Sequence, residues 1–261
     1  MSERGFVFLM YHELELPGHP LCHSNKGYSV YAVEEKHFRS QMRWLQQTGW
    51  RGLSVGEAFA LKPKTEHAKP SVVITFDDGS ATDLNTAAPI LKESGFNATF
   101  YITVGFLGLR GYMNSSQLSE LSALGFEVGC HSMTHAYLND LDRQGLHREI
   151  VESKAQLEQI IGKPVEHFSC PGGRYNANVI HAARGAGYRS LTTSQPHGNT
   201  PKTDPFALGR VAIQRRLGLP AFQRICQGEG FWKLRACEVV GNTAKRMLGN
   251  ALYDRAHSLL R

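Results

Sequence analysis

The sequence predicts an α/β fold built on a parallel sheet. Short apolar runs alternate with segments of helical periodicity along most of the 261 residues, which is typical of repeated β–α units with short connections. The apolar runs are continuous, as expected of strands that are covered on both faces. Glycines follow several of the helical segments, where helices commonly stop. These observations indicate either an open, doubly wound sheet or a closed barrel.

Each predicted strand is a short apolar run, and each predicted helix carries apolar residues three or four positions apart. The first long helix shows this spacing with Phe38, Met42 and Leu45. Gly95 and Gly125 end two of the later helices. In chain order, strands are predicted at 5–11, 71–76, 97–104, 126–130, 167–170 and 188–192, and helices at 34–47, 82–94, 115–124, 144–161 and 176–186.

The composition is that of a soluble globular protein with a full-sized core, since 41% of the residues are hydrophobic and 20% are charged. The formal charge of +6 favours anionic surroundings, such as a membrane surface or a phosphorylated substrate, and is too mild to indicate nucleic acid. The five cysteines are scattered, as in a cytosolic protein with reduced thiols. No apolar stretch approaches the ~20 residues of a membrane span and no secretory leader is evident, so we expect a cytoplasmic protein.

The last residues differ in character, and the sequence is therefore divided into a domain at 1–230 and a helical extension at 231–261. One interpretation of the extension is an amphipathic helix that lies on an anionic membrane. The other is a terminal helix packed on the domain with a solvated basic face, which we favour because many surface helices share this pattern. The apolar stripe consists of Val240, Ala244, Leu248, Ala251, Leu252, Ala256 and Leu259, beside the basic residues Lys233, Arg235, Lys245, Arg246, Arg255 and Arg261.

The first segment that indicates chemistry is Thr75-Phe76-Asp77-Asp78-Gly79, at the end of the 71–76 strand. Two adjacent carboxylates cannot both point unpaired into the core, because burial without partners costs free energy. Neighbouring side chains diverge in a strand, so one carboxylate can bind a metal ion while the other transfers a proton. Asp-Asp-Gly also suits a helix N-cap or a turn, and this segment alone leaves both interpretations open.

The second segment, His131-Ser132-Met133-Thr134-His135, follows the 126–130 strand. Histidines four positions apart lie on one face of a helical turn and can present two imidazoles to one cation. An aspartate and two histidines at the carboxyl ends of strands are a common ligand set that leaves a position open for water. Zinc, or another first-row divalent ion, suits these ligands. The sequence therefore indicates a metal site formed by Asp78, His131 and His135.

The third segment is Phe168-Ser169-Cys170-Pro171-Gly172-Gly173-Arg174-Tyr175. The proline and the paired glycines expose the backbone, so that an N–H group can approach a substrate oxygen. A plain turn between a strand and a helix is the alternative.

Together, the three segments resemble the polysaccharide deacetylase family, the NodB-homology group of carbohydrate esterases. TFDDG matches the first motif of that family, and HSMTH matches its second motif, H-[ST]-x-x-H. FSCPGG corresponds more loosely to the third motif, R-x-P-x-G after an aromatic residue. The FLMYHEL and GYRSLTTSQPHGN stretches are similar to the subgroup found with exopolysaccharide synthesis. The resemblance covers about residues 5–215.

The resemblance implies a distorted (β/α) barrel with about seven parallel strands and hydrolysis of an acetyl group. It implies that Asp78, His131 and His135 ligate Zn²⁺ or another divalent metal, and that Asp77 is the general base. The backbone N–H of Gly172 is then expected to stabilise the oxyanion, with Arg174 and Tyr175 beside the substrate.

The chain departs from the family pattern in two places. Ser169 stands where many relatives have an arginine that pairs with the catalytic aspartate, and Arg174 is a candidate replacement. A leucine–histidine pair, which supplies the general acid in the family, is absent near residues 207–228. His12, at the end of the first strand, and His197, in a loop after the 188–192 strand, are the candidates for the acid.

The leading hypothesis is a cytoplasmic deacetylase of N-acetylhexosamine units in a polysaccharide or in its lipid-linked precursor. Peripheral membrane contact through 231–261 is the interpretation of the extension that would suit a precursor attached to the inner leaflet. A second hypothesis is a related hydrolase of small amides or cyclic imides, against which both intact motifs argue. The third is a non-catalytic glycan-binding pseudoenzyme, which Ser169 and the missing histidine motif would suit.

Overall fold

A curved sheet of parallel strands forms the centre of the protein in a computed structural model that describes residues 5–23, 25–61 and 69–231. The strands within these ranges are β1 (Val7–Tyr11), β2 (Leu14–Glu15), β3 (Val33–Glu34), β4 (Arg51–Leu53), β5 (Ser71–Asp78), β6 (Thr99–Ile102), β7 (Glu127–Cys130), β8 (His167–Ser169), β9 (Ser190–Thr192) and β10 (Val211–Ala212). The main sheet follows the order β10-β1-β5-β6-β7-β8-β9, with every neighbouring pair parallel. β4 pairs with the first residues of β5, whereas β2 and β3 form a separate small pair.

The helices follow the strands in the expected alternation. They are α1 (Lys26–Ser29), α2 (Glu35–Gln47), α3 (Val55–Ala60), α4 (Ala88–Ser94), α5 (Ser115–Ala123), α6 (Arg143–Leu146), α7 (Ser153–Ile161), α8 (Ala177–Gly185) and α9 (Leu219–Cys226). Two π-helical segments precede α4 and α7, at Asp83–Ala87 and His147–Glu152. Gly95 and Gly162 adopt left-handed conformations after α4 and α7, which is the backbone geometry that favours glycine at a helix end.

The prediction of a distorted barrel with about seven parallel strands is confirmed by this seven-strand path. The segment that contains Leu208 and β10 brings the two ends of the path together. Leu208 forms a parallel bridge with Thr192 at the end of β9, and Val211 pairs with Leu9 of β1. The segment 208–212 therefore lies between β1 and β9.

Several short elements have no counterpart in the predicted pattern, including β4, β10, α3 and α9. β4 has three residues and β10 has two, so neither is long enough to show a period. The predicted extension at 231–261 lies outside the described residues from position 232 onward. Among the residues that the structure covers, no helix is both long and apolar enough to cross a bilayer.

The core occupies both faces of the sheet. Val72, Ile74 and Phe76 of β5 belong to the large cluster beneath the helices, whereas Val73 lies in a second cluster with Phe8 and Tyr101. Burial on both faces explains why the strands are continuous apolar runs. Since side chains alternate along a strand, the side of Val73 also carries Thr75 and Asp77, so the chemical groups lie at the carboxyl end of β5.

The opposite end of the sheet is covered by α3. The backbone N–H of Val55 donates to Thr99 Oγ1 at the start of β6, and that of Gly56 donates to Glu127 Oε2 at the start of β7. Gly129, in the middle of β7, leaves room for the Tyr101 ring, because a Cβ atom there would lie 2.4 Å from it. The carboxyl ends of the strands are therefore the end at which a site can open.

Candidate metal centre and active site

The chain turns sharply directly after β5. Asp78 has a φ of 81° and Gly79 a φ of 88°, both in the left-handed region. A non-glycine residue in that region costs about 1–3 kcal/mol, and such residues cluster at functional sites. The Asp78 side chain is 8% exposed. The backbone strain and the burial together fix this carboxylate at the carboxyl end of the strand.

The two histidines of HSMTH lie on a loop after β7. Ser132 and His135 have φ values of 69° and 63°, so the segment is not the helical turn that the spacing predicted. The left-handed residues Ser132 and His135 turn the chain sharply, and the two imidazoles therefore come together without a helix. The hydroxyl of Ser132 accepts the backbone N–H of His135 at 3.0 Å and closes the loop.

Asp78, His131 and His135 converge as predicted. Asp78 Oδ1 lies 3.7 Å from His131 Nε2 and 3.6 Å from His135 Nε2, and the three ligand atoms lie within 4.8 Å of one another. Asp78 Oδ1 is buried and has no hydrogen-bond partner in the described part of the chain. A carboxylate oxygen left alone in this way fits a site for a cation.

The second nitrogen of His131 supports the same conclusion. Its Nδ1 lies 2.8 Å from the carbonyl oxygen of Ser169, to which it donates as the N–H tautomer. That bond leaves the lone pair of Nε2 directed at Asp78 and away from water, an arrangement typical of metal-ligating histidines. The side chain of His131 is 2% exposed and that of His135 is 35% exposed, so the centre opens to solvent on the His135 side.

Asp77 has a different environment from its neighbour. The guanidinium of Arg210 donates to both of its carboxylate oxygens, each at 2.7 Å, and both side chains are almost fully buried. Arg210 also donates to Thr193 O at 2.9 Å and to Ser169 Oγ at 2.8 Å. A two-pronged pair with further hydrogen bonds is the geometry in which a buried ion pair is stable.

The pKa values of the two aspartates shift in opposite directions. Burial opposes ionisation of Asp77, but Arg210 and His131 outweigh it and hold its pKa below the usual range. Burial raises the pKa of Asp78 to about 6, and the charge of Asp77 adds to that rise. Burial lowers the pKa of His131 to about 3. Near neutral pH, Asp77 is therefore an ionised carboxylate and His131 a neutral imidazole.

Comparison with known proteins identifies the family. The profile of the polysaccharide deacetylase family matches residues 64–191. YxkH of Bacillus subtilis, assigned by name to the polysaccharide deacetylases, is 30% identical over 205 residues, which span 77% of this chain and 73% of YxkH. The chain belongs to the polysaccharide deacetylase family.

Two further relatives show what this family membership includes. The poly-beta-1,6-N-acetyl-D-glucosamine N-deacetylase of Staphylococcus aureus is 26% identical over 204 residues, which span 73% of this chain and 70% of that enzyme. The Streptococcus pyogenes deacetylase PplD, solved in complex with acetate, has a TM-score of 0.74 and 22% identity, and the alignment covers 85% of this chain and 98% of PplD. As a polysaccharide deacetylase, the chain is a hydrolase that acts on carbon–nitrogen bonds.

The arginine that the third motif of polysaccharide deacetylases usually contains is supplied here from the segment directly before β10. Ser169 takes its position on β8, and Arg210, directly before β10, fills the space beside Asp77. Ser169 Oγ accepts from Arg210 and lies 3.4 Å from Asp77 Oδ2, so the serine joins the same network. Sequence reasoning missed Arg210, because its only local signal is a cation before two apolar residues.

Arg174, the replacement that the sequence suggested, is not the partner of Asp77. Its guanidinium lies 3.8 Å from the centre of the Tyr137 ring, against which Gly172 also packs. Gly172 has a φ of 60°, and its N–H has no hydrogen-bond partner among the described residues. Tyr175 packs, partly buried, against the main core. The polysaccharide deacetylase motif thus forms a turn in which the Gly172 N–H is available to a ligand.

The two candidate acids lie in different places. His12 follows β1, its ring lies 5.0 Å from that of Tyr31, and its Nδ1 is buried without a partner in the described chain. Burial lowers the pKa of His12, while the charges of Asp78 and Asp77 oppose that effect, which places the ring in their neighbourhood. His197 packs on Gly209, where a Cβ atom would lie 2.6 Å from its ring. No contact within the described ranges joins His197 to Asp78, His131 or His135.

Proposed function

We propose that this polysaccharide deacetylase is a metal-dependent enzyme that removes the acetyl group from N-acetylhexosamine units of a glycan. The observation that carries the proposal is the buried, unpartnered Oδ1 of Asp78 facing two imidazole nitrogens, with an ionised Asp77 beside it. Asp78, His131 and His135 would hold the ion. An aspartate and two histidines suit Zn²⁺, among other first-row divalent ions.

A divalent ion held by Asp78, His131 and His135 would supply Lewis-acid chemistry, polarising the acetyl carbonyl and making a water molecule easier to deprotonate near neutral pH. Asp77 then accepts the proton of the attacking water. Arg210 keeps Asp77 ionised and fixes its orientation, because both carboxylate oxygens are held by the guanidinium. The N–H of Gly172 donates to the oxygen on which negative charge develops.

The departing amine needs a proton, which we assign to His12. Burial lowers the pKa of His12, so that the protonated ring would be a stronger acid than an exposed imidazolium, while the charges of Asp78 and Asp77 act in the opposite sense and favour protonation. His197 remains the second candidate for this role, from its loop against Gly209. A comparison of His12→Gln with His197→Gln separates the two, because only loss of the true acid should lower kcat by about 10²-fold or more.

The staphylococcal relative, which is named for poly-beta-1,6-N-acetyl-D-glucosamine, supports a β-linked N-acetylglucosamine polymer as the glycan. Its lipid-linked precursor is the alternative form of the same substrate. The Arg210–Asp77 pair removes the main reason for a non-catalytic glycan-binding protein, because the cation that Ser169 lacks is present. No contact among the described residues of this site favours the alternative hypothesis of a hydrolase of small amides or cyclic imides.

Acetate release tests the function. The protein is incubated with poly-β-1,6-N-acetylglucosamine, chitin oligomers and lipid-linked N-acetylglucosamine, before and after treatment with a chelator and after added zinc. We expect release from at least one N-acetylglucosamine substrate, its loss on chelation, and its return with zinc. Release that is unaffected by the chelator would refute the metal dependence, and release from small amides alone would refute the glycan.

For a lipid-linked precursor we further propose that residues 231–261 place the enzyme at the inner face of a membrane, in contrast to the packed terminal helix that the sequence pattern alone favours. The support is the apolar stripe of that segment and its surplus of lysine and arginine. The full chain should float with anionic liposomes in a density gradient, and a chain ending at Gly230 should not. Equal flotation of the two would contradict the proposal.

A further inference from the structure

The loop that carries both histidine ligands depends on a carboxylate outside the site. Glu149 is 4% exposed and lies in the π-helical segment His147–Glu152. Its Oε2 accepts the backbone N–H groups of Met133 at 3.0 Å and Thr134 at 2.8 Å. Its Oε1 accepts the hydroxyl of Thr134 at 2.7 Å. One buried anion therefore binds three donors of the peptide that connects the two ligands.

The carbonyl groups of the same loop are held from the opposite side. The turn after β6 donates to three successive carbonyl oxygens, from Thr103 Oγ1 to His131, from the Val104 N–H to Ser132 and from the Gly105 N–H to Met133. The last of these bonds is 2.7 Å long, and a Cβ atom on Gly105 would lie 2.8 Å from the Met133 oxygen. The loop is thus fixed between a row of donors and a single anion.

This support matters because the loop is strained. Ser132 and His135 both occupy the left-handed region, which non-glycine residues keep only where their surroundings leave no alternative. The donors at Met133 and Thr134 lie between these two residues, so Glu149 acts at the centre of the strained stretch. Its hydrogen bonds are of the strong kind, in which a carboxylate accepts from backbone N–H groups.

A hydrogen bond from Ser153 fixes the backbone of Glu149. Its backbone carbonyl accepts the hydroxyl of Ser153, which is fully buried and also contacts the thiol of Cys130 at the end of β7. The wider turn of a π-helix shifts a side chain relative to a regular helix, and such segments occur frequently at functional sites. The helical layer is therefore tied to the metal loop by two neighbouring contacts.

We propose that Glu149 is a positioning residue for the metal centre, which sets the separation of His131 and His135 through the Met133–Thr134 peptide. The inference rests on the proposed metal site. Glu149 makes no described hydrogen bond to a ligand side chain, so its hydrogen bonds act on the ligands through the backbone, while its charge also reaches His135 through space. Partners that orient metal ligands typically contribute 10–100-fold to metal affinity, which sets the size of the expected effect.

Zinc affinity, measured by competition with a chromophoric chelator, tests the assignment together with the absorption spectrum of the cobalt-loaded protein. Glu149→Ala should weaken zinc binding about 10–100-fold and alter the cobalt spectrum. Glu149→Gln should recover most of the affinity, because the amide oxygen still accepts both N–H groups. Glu152→Ala is the matched control and should match the wild type, since Glu152 lies in the same segment but pairs, among the described residues, only with the exposed His147.

A folded Glu149→Ala protein with wild-type zinc affinity and cobalt spectrum would overturn the assignment. If that variant does not fold, Thr134→Val decides, because it removes one donor to Glu149 from an exposed position. A severalfold loss of zinc affinity in Thr134→Val supports the role of Glu149, and unchanged affinity refutes it. A wild-type protein that binds no zinc would refute the metal centre itself, and this inference with it.

Discussion

Removal of Arg210 is the most direct test of how the active site works. The guanidinium makes two 2.7 Å bonds to Asp77 and three further bonds, to Thr75 Oγ1, Thr193 O and Ser169 Oγ. Arg210→Met keeps most of the apolar volume but leaves Asp77 buried without a counter-charge. Loss of one partner from a buried pair costs about 3–5 kcal/mol of unfolding free energy.

Asp77 can relieve part of this cost by taking up a proton. Without Arg210, burial becomes the dominant influence and raises the pKa of Asp77. A protonated Asp77 cannot act as the base, so kcat/KM at pH 7 should fall by about 10²-fold or more. The acid limb of the kcat/KM profile should also move to higher pH, since activity returns only when the carboxylate ionises.

The assay is acetate release across the pH range, alongside urea unfolding. Arg210→Lys should recover part of the activity, because it restores a charge without the two-pronged geometry. Arg189→Met is the control, since Arg189 forms an exposed pair with Glu166, and it should cost at most about 1 kcal/mol. A folded Arg210→Met enzyme with the wild-type pH profile and rate would refute the role given to Arg210.

Two further substitutions, Asp77→Asn and Gly129→Ala, support three other measurements. Asp77→Asn should retain zinc, measured by metal analysis, and lose about 10²–10⁴-fold in kcat, because only proton transfer is removed. Gly129→Ala should lose about 1–3 kcal/mol in urea unfolding, since its Cβ would lie 2.4 Å from the Tyr101 ring. Because the folded protein lowers the pKa of Asp77, it binds fewer protons there than the unfolded chain. The stability advantage of wild type over Asp77→Asn should therefore be complete above pH 3.8 and shrink as the pH falls below it.

Each of these has a clear contrary result. Loss of zinc from Asp77→Asn would make that residue a ligand. Gly185→Ala, whose Cβ meets nothing within 4 Å, is the control for Gly129 and should be neutral or stabilising. Equal stability of the two alanine variants would show that Tyr101 moves freely. A stability difference that does not depend on pH would contradict the lowered pKa of Asp77.

The parts of the fold and site that depend on local patterns were predictable. The strands with long apolar runs, the glycine helix ends, and the convergence of Asp78 with the two histidines all follow from short stretches of sequence. Carboxyl ends of parallel strands lie together at one end of a barrel, so motifs after β5 and β7 had to meet.

The parts that depend on distant contacts were not predictable in the same way. Arg210 reaches Asp77 across 133 positions from the segment directly before β10, and no short stretch of sequence indicates which segment of the chain supplies that cation. The third motif predicts this arginine at the position on β8 that Ser169 occupies. The four-residue spacing of His131 and His135 predicts a helical turn, but the same spacing also fits a loop, and histidine is among the residues that tolerate a left-handed backbone.

The two adjacent aspartates differ in what they contribute to the stability of the metal-free protein. Asp77 has its charge satisfied by Arg210, whereas the Oδ1 of Asp78 is buried without a partner, a condition that costs free energy in a metal-free protein. Asp78→Asn removes that charge, and asparagine also tolerates the left-handed backbone at this position. In the presence of a chelator, Asp78→Asn should therefore unfold in urea at the same or a higher concentration than the wild type, while zinc should stabilise only the wild type. A metal-free Asp78→Asn protein that is less stable by more than about 1 kcal/mol would show that Asp78 has a structural partner, and the case for a cation at this oxygen would lose its main support.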